Sequence, residues 1–314
     1  MTSGKVAFVF PGQGSQHVGM GKDLCQQLVA AARTFAEADD AMGYSLSKLC
    51  FEGPELELKR TENTQPAILT ASIAALRVLE SETPLRADFV AGHSLGEYSA
   101  LVCAGALSFA DAVKIVRQRG RFMQEAVPEG GGSMAVILGL EMDEVRSVCA
   151  EASGGGVVAP ANDNGGGQIV IAGSKNAVAR AVTLAKKRGA KRALDLPVSA
   201  PFHCELMRPA AERLEAVLAS VVVHPLSVGV VTNVEAEVNQ DAGRVKWLLT
   251  EQAVRPVRWE ESVRKLETLG CRRVLEVGPG RVLTGLVKRI SASLVTENFA
   301  AAEDLARVRR ETAP

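Results

Sequence analysis

Apolar residues gather in short runs at 5–10, 88–92, 227–231 and 273–277, each bounded by glycine, proline or polar positions. Within a run the apolar positions are close to continuous rather than alternating, as expected of strands covered on both faces in a parallel sheet. Segments with helical spacing lie between several of them, so the pattern predicts an α/β sheet with helices on its faces. The middle of the chain reads differently. A strand over 133–138, a helix over 143–151, short strands over 157–159 and 168–171, an alanine-rich helix over 174–187 and a strand near 192–196 follow one another. That order, β-α-β-β-α-β, is the ferredoxin-like motif. Pro128, the glycines at 130–132 and Pro197 mark its ends, which predicts a small domain at 129–197 inserted into a large domain made of 1–128 and 198–314. Ligand sites favour the cleft between such units.

One helix carries a charge on its inward face. Ser108-Phe109-Ala110-Asp111 resembles a capping box, with Asp in place of Glu or Gln, and opens a helix expected to run to about residue 126. At about 100° per residue, Ala112, Ile115, Val116, Phe122, Met123 and Ala126 fall within about 60° of Arg119, while Lys114, Arg117, Arg121 and Gln124 cluster opposite. Arg119 is therefore centred on the stripe that faces the core. A guanidinium keeps its charge, and its burial is costly unless a carboxylate or phosphate meets it. Two readings stay open here: an ion pair with an internal Asp or Glu, or a bidentate clamp on the free carboxylate of a bound acyl group.

Composition narrows the classes of function. Over 314 residues, 47% apolar and 23% charged content describes a globular chain with a sizeable core. The 36 basic and 36 acidic residues cancel, so no bulk field draws nucleic acid or an anionic membrane surface. No apolar stretch approaches the roughly 20 residues of a membrane helix, and the N-terminus lacks the layout of a secretion signal. The six cysteines stand singly, without zinc or redox spacing, and read as buried or idle thiols. The expectation is a soluble protein of a reducing cytoplasm.

The candidate chemistry centres on Gly92-His93-Ser94-Leu95-Gly96, the Gly-x-Ser-x-Gly spacing of a nucleophile elbow, in which a sharp strand-to-helix turn exposes the serine. Its plain alternative is a small residue in a tight turn. A helix starting there points backbone N–H groups toward an oxyanion, with that of Leu95 best placed. Ser94 needs a base, and of the four histidines His203 sits where the chain leaves the small domain, downstream of the serine. The alternative for His203 is a loop histidine satisfied by backbone. His93 is assigned to shaping the elbow and lining the substrate site, and no Asp or Glu announces itself as the third member of a triad. The turn Pro11-Gly12-Gln13-Gly14 after the first strand lacks the third glycine and the Gly-Lys-Ser/Thr of nucleotide loops, so Gln13 suits a second oxyanion donor better than a phosphate cradle.

FPGQGSQ near the start, TENTQPAI at 61–68, AGHSLGEY at 91–98, RQRGRFMQ at 117–124, PVSAPFHC at 197–204 and EVGPGRVLTGL at 276–286 closely resemble the malonyl-CoA:acyl-carrier-protein transacylases of bacterial fatty-acid synthesis. The resemblance spans nearly the whole chain in the right order. It implies an α/β-hydrolase-like large domain with a parallel sheet and a ferredoxin-like insert. It also implies that Ser94 forms a malonyl ester, that His203 is general base and acid, and that the oxyanion lies between the N–H groups of Leu95 and Gln13. Arg119 would hold the malonyl carboxylate. A main-chain carbonyl, that of Gln252, would orient the histidine in place of a carboxylate. Phe202 resembles the bulky residue that excludes branched acyl chains, and Asn162 is a candidate substrate contact or a plain turn asparagine. Arg255 and Arg258 stand where the family usually has neutral residues, which weakens the match at Gln252. The partners implied are malonyl-CoA and acyl-carrier protein, with no metal or bound cofactor, no nucleic acid and no membrane, acting as a monomer. The basic run Lys186, Lys187, Arg188, Lys191 and Arg192 is a candidate docking patch for an acidic carrier, although such runs are more often solvated helix faces. A serine thioesterase or esterase on the same fold, or a non-catalytic malonyl-CoA-binding scaffold, are the competing functions.

Overall fold

A computed structural model of the chain describes residues 4–198 and 200–312. The main sheet has six strands, β1 (Lys5–Phe10), β2 (Phe89–Gly92), β7 (Gly229–Val231), β8 (Val238–Asn239), β10 (Cys271–Val277) and β11 (Val295–Phe299). Their order is β11-β10-β1-β2-β7-β8, and every neighbouring pair is parallel except β7 with β8. The four apolar runs are its central strands. Because β1 and β2 run side by side, with Phe10 opposite Gly92, the loops leaving their carboxyl ends lie together. Open α/β sheets place their ligands at that edge.

The second sheet takes β3 (Gly132–Leu138), β4 (Val158–Asp163), β5 (Gln168–Ser174) and β6 (Arg192–Asp195) in the order β6-β3-β5-β4, all antiparallel. This is the ferredoxin-like arrangement that the β-α-β-β-α-β reading implied. Helices Met142–Ala152 and Lys175–Lys187 cover one face around Ile137, Val145, Val148, Ile171, Val178 and Ala181. A fifth strand, β9 (Val257–Arg258), joins the outer edge beside β4, pairing Asn162 with Val257. It comes from beyond residue 197, so the distal half of the chain lends a strand to the small sheet.

Helix Phe109–Glu125 buries Ala112, Ile115, Val116, Arg119, Phe122 and Met123, the stripe expected from its phase. Its cap is half a capping box: the Ser108 hydroxyl oxygen accepts the Asp111 N–H at 3.0 Å, while the Asp111 carboxylate takes the Ser108 hydroxyl rather than its backbone N–H. No helix among the described residues is long and apolar enough to cross a membrane.

Candidate active site

The elbow exists because glycine is the only residue that fits on either side of it. A Cβ on Gly92 would sit 1.9 Å from the carbonyl carbon of Gly96, and one on Gly96 would sit 2.0 Å from the Phe10 oxygen. Between them Ser94 adopts φ 50°, the left-handed region that costs a non-glycine residue about 1–3 kcal/mol. Helix Gly96–Cys103 begins two residues later, so its N-terminal dipole points into the site. Neither the N–H of Leu95 nor that of Gln13 donates to another group among the described residues. The N–H of Ser94 itself is engaged by the Asn233 side chain at 2.7 Å. Leu95 and Gln13 line the same cavity as Ser94.

His203 is also in the left-handed region, at φ 60°, and is buried. Its Nδ1 lies 2.8 Å from the Gln252 carbonyl oxygen and its Nε2 lies 2.7 Å from Ser94 Oγ. A carbonyl oxygen only accepts, so the ring hydrogen is on Nδ1 and the Nε2 lone pair faces the serine hydroxyl. This is the tautomer a general base needs. Burial first, and then the Arg119 charge, hold the imidazole pKa down to about 3, so the ring is neutral at pH 7. An unfolded histidine titrates near 6.5, so between that value and about 3 the unfolded chain binds the extra proton and stability falls as pH falls. Wild type should therefore lose about 2 kcal/mol more than His203→Asn between pH 7 and pH 5 in parallel denaturant titrations. Equal losses would contradict a buried neutral imidazole.

Arg119 is 2% exposed, and its partners among the described residues are neutral. One terminal nitrogen donates to Gln65 Oε1 at 2.7 Å; the other donates to Gln252 Oε1 at 3.0 Å and to Ser94 Oγ at 3.1 Å. Its guanidinium lies 5.4 Å from the centroid of the Tyr98 ring, and Nε finds no hydrogen-bond partner. The buried acid in this network, Glu97, does not touch it. Glu97 accepts from Gln252 Nε2 at 2.7 Å and from the Asn233 N–H at 3.1 Å, so the amide of Gln252 stands between the acid and the guanidinium. Burial pushes the Glu97 carboxyl up to about 7, against these hydrogen bonds and the Arg119 charge. Among the described residues Arg119 makes no direct ion pair: glutamine amides hold the cation, and Glu97 acts on it only through space.

Arg119, Ser94, His203, Leu95, Gln13, His93, Asn162, Phe202, Met123 and Met134 line one cavity of about 140 Å³, the size of a short acyl group. It adjoins a cleft of about 580 Å³ that passes Gln13, Asn162, Gln168 and Leu286. His93 does not reach the hydroxyl of Ser94. Its Nε2 meets Asn164 Oδ1 at 2.9 Å and its ring tilts against Trp259, so it braces the elbow against the small sheet. Arg255 and Arg258 leave Gln252 undisturbed: the first pairs with Glu251 and the second with Glu261. In the PVSAPFHC stretch, Ser199 lies outside the described residues.

Three residues of this network carried no sequence assignment. Gln65 and Glu97 sit within quoted motifs on largely apolar helices, but Thr61 and Ser72 share the buried face of Gln65 and Ser99 is buried near Glu97, so the signal is weaker than the one that picked out Arg119. Asn233 gives no such signal, because its partners lie about 140 positions away.

A strained serine at a strand-to-helix turn with a neutral histidine on its hydroxyl, in an α/β fold, is the arrangement of an acyl-transfer protein. Residues 7–313 match the acyl transferase domain, and the chain belongs to that family. It is 51% identical over 288 residues to the malonyl CoA-acyl carrier protein transacylase of Escherichia coli (strain K12), covering 92% of this chain and 93% of that protein. The crystal structure of an acyl carrier protein S-malonyltransferase from Vibrio cholerae superposes with a TM-score of 0.95 at 47% identity, over 97% of this chain and 99% of that one. A malonyl-transacylase solved in complex with its type II PKS acyl-carrier protein matches at 46% identity and a TM-score of 0.95, over 98% and 99% of the two chains.

Proposed function

We propose that the protein transfers the malonyl group of malonyl-CoA to the phosphopantetheine thiol of acyl-carrier protein through a malonyl ester on Ser94. What carries the reading is the guanidinium of Arg119, buried against neutral amides and within 3.1 Å of the serine hydroxyl. A malonyl carboxylate supplies the anion it lacks and thereby sets the thioester carbonyl over Ser94.

Ser94 Oγ attacks the thioester carbon as its proton passes to His203 Nε2. The N–H groups of Leu95 and Gln13 take the developing oxyanion. The tetrahedral intermediate collapses, and CoA leaves with the proton from His203. The carrier thiol then gives its proton to His203, attacks the malonyl ester and releases Ser94. Each proton is returned, and each step is assigned to this chain and its two substrates, so no metal or cofactor enters the scheme. The Arg119 charge, after burial the largest cause holding the imidazole pKa down, is paired when malonyl binds, so the base strengthens when it is needed. The roles of Gln252 in orienting His203, of Phe202 in crowding branched acyl chains and of Asn162 and His93 along the cleft complete the site.

The division of labour places 129–197 as the small domain on one lip and 1–128 with 198–314 as the catalytic domain. One chain holds every assigned residue, so a monomer suffices, and six unpaired thiols suit the cytoplasm. Within the basic run, Arg188 is engaged by Glu144 and Glu151, which leaves Lys186, Lys187, Lys191 and Arg192 exposed toward an acidic carrier.

Malonyl-CoA with and without holo carrier protein separates transfer from hydrolysis. CoA release should track formation of malonylated carrier, with little free malonate. Release of malonate at an undiminished rate without carrier would point to a thioesterase.

A further inference from the structure

We infer that Asn233 is a positioning residue that holds Ser94, and with it the Leu95 N–H, in the geometry acyl transfer needs; the inference rests on Ser94 being the nucleophile. Asn233 lies fully buried in the turn after β7. Its side-chain oxygen accepts the Ser94 N–H at 2.7 Å, and its side-chain NH₂ donates to the Gly92 carbonyl at 2.6 Å. One planar amide therefore grips the peptides on both sides of His93. It continues the β2–β7 ladder, whose last pair is Ala91 with Val231, by one step past the point where the β7 backbone turns away. The main chain of Asn233 is itself tied at both ends. Its N–H donates to Glu97 at 3.1 Å, and its carbonyl accepts the N–H of Arg258, in β9, at 3.1 Å. The gripping side chain is thus anchored to the helix after the elbow and to the edge of the small sheet.

A non-glycine residue at φ 50° persists only where its surroundings hold it. The backbone angles of Ser94 set both where Oγ points and where the next N–H, that of Leu95, points. With its own N–H spent on Asn233, Ser94 offers the oxyanion only the Leu95 donor. If that hydrogen bond is released, Ser94 can relax toward negative φ and both groups turn off line. Asn233 makes no hydrogen bond to Arg119 and does not line the acyl cavity; its side-chain oxygen also accepts from Gln252 Nε2, but at 3.3 Å against 2.7 Å for Ser94, so its loss should affect the chemical step more than malonyl-CoA capture.

Rapid-quench acylation of the full-length protein by malonyl-CoA tests this, combined with the infrared stretch of a ¹³C-labelled ester carbonyl on Ser94. Asn233→Leu keeps the approximate size and removes the hydrogen bonds to Ser94 and Gly92, together with the longer one from Gln252. It should lower the saturating acylation rate on the order of 10²-fold and move the carbonyl band to higher frequency, as the oxyanion donors polarise it less. The half-saturating malonyl-CoA concentration should stay within about threefold. Asn233→Asp keeps an acceptor for Ser94 and loses only the donor to Gly92, so about a tenfold drop is expected. A merely structural role would reduce the amount of folded protein without moving the band. If Asn233→Leu does not fold, the same two readouts on Asn233→Asp decide. A folded variant with a rate within about threefold of wild type and an unmoved band overturns the inference. A wild type that never carries label on Ser94 removes the nucleophile reading instead.

Discussion

Replacing Arg119 with alanine is expected to lower kcat/KM for malonyl-CoA by about two to three orders of magnitude while sparing or raising transfer of an acetyl group. The loss follows from the charge. A bound malonyl carboxylate in a cavity lined by Phe202, Met123 and Met134 has exchanged water for Arg119, and truncation leaves that anion buried and unpaired. The acetyl group has no anion to lose, and in wild type its methyl must displace whatever solvates the guanidinium. Alanine removes that obstacle, so the ratio of malonyl to acetyl transfer is the sensitive readout. Gln65 and Gln252 lose a donor in the same variant, which calls for a check of folding before rates are compared. An equal fall for both acyl groups would mean that Arg119 only supports the elbow. Lysine should not restore selectivity, because a single ammonium cannot engage two glutamines and both oxygens of a carboxylate in the planar fork of a guanidinium.

His203→Ala should slow acylation by roughly 10³- to 10⁴-fold with little change in malonyl-CoA capture. The Nε2 that accepts the Ser94 proton is lost, while Arg119 and both oxyanion donors remain. Gln252→Ala should differ in kind. Its backbone carbonyl survives to hold His203 Nδ1, whereas its side chain is the bridge between Arg119 and Glu97. Damage to malonyl selectivity is therefore expected to exceed damage to acetyl transfer. Its Nε2 also donates to the Ser94 carbonyl at 3.0 Å, so comparable damage to both would place the main role of the side chain at the elbow instead.

Much of this architecture was legible in local patterns. The central parallel strands are apolar runs, the ferredoxin-like order appears as alternating periodicities, and helical phase turned Arg119 inward without reference to any partner. His203 was reached by elimination and position, and the carbonyl that orients it came only through family likeness. Other parts were not legible. Strands β8 and β9 are two residues each, too short for a period, and β11 carries Thr, Glu and Asn in place of an apolar run. The polar network beneath the elbow joins Ser94, Glu97, Asn233 and Gln252 across separations of up to 158 positions. Such contacts leave no periodic trace, because burial of a polar side chain is decided by a distant partner rather than by its neighbours. Glu97 and Gln65 lie in helices with a readable apolar pattern, yet that pattern assigns neither a role.

Incubation of the purified protein with malonyl-CoA alone, followed by peptide mass mapping, tests most directly whether this site carries malonyl on its serine. A malonyl adduct confined to the peptide containing Ser94, formed faster than an acetyl adduct from equal acetyl-CoA and absent from Ser94→Ala, is the expected result. An unmodified Ser94, or malonyl found on another residue, would contradict it.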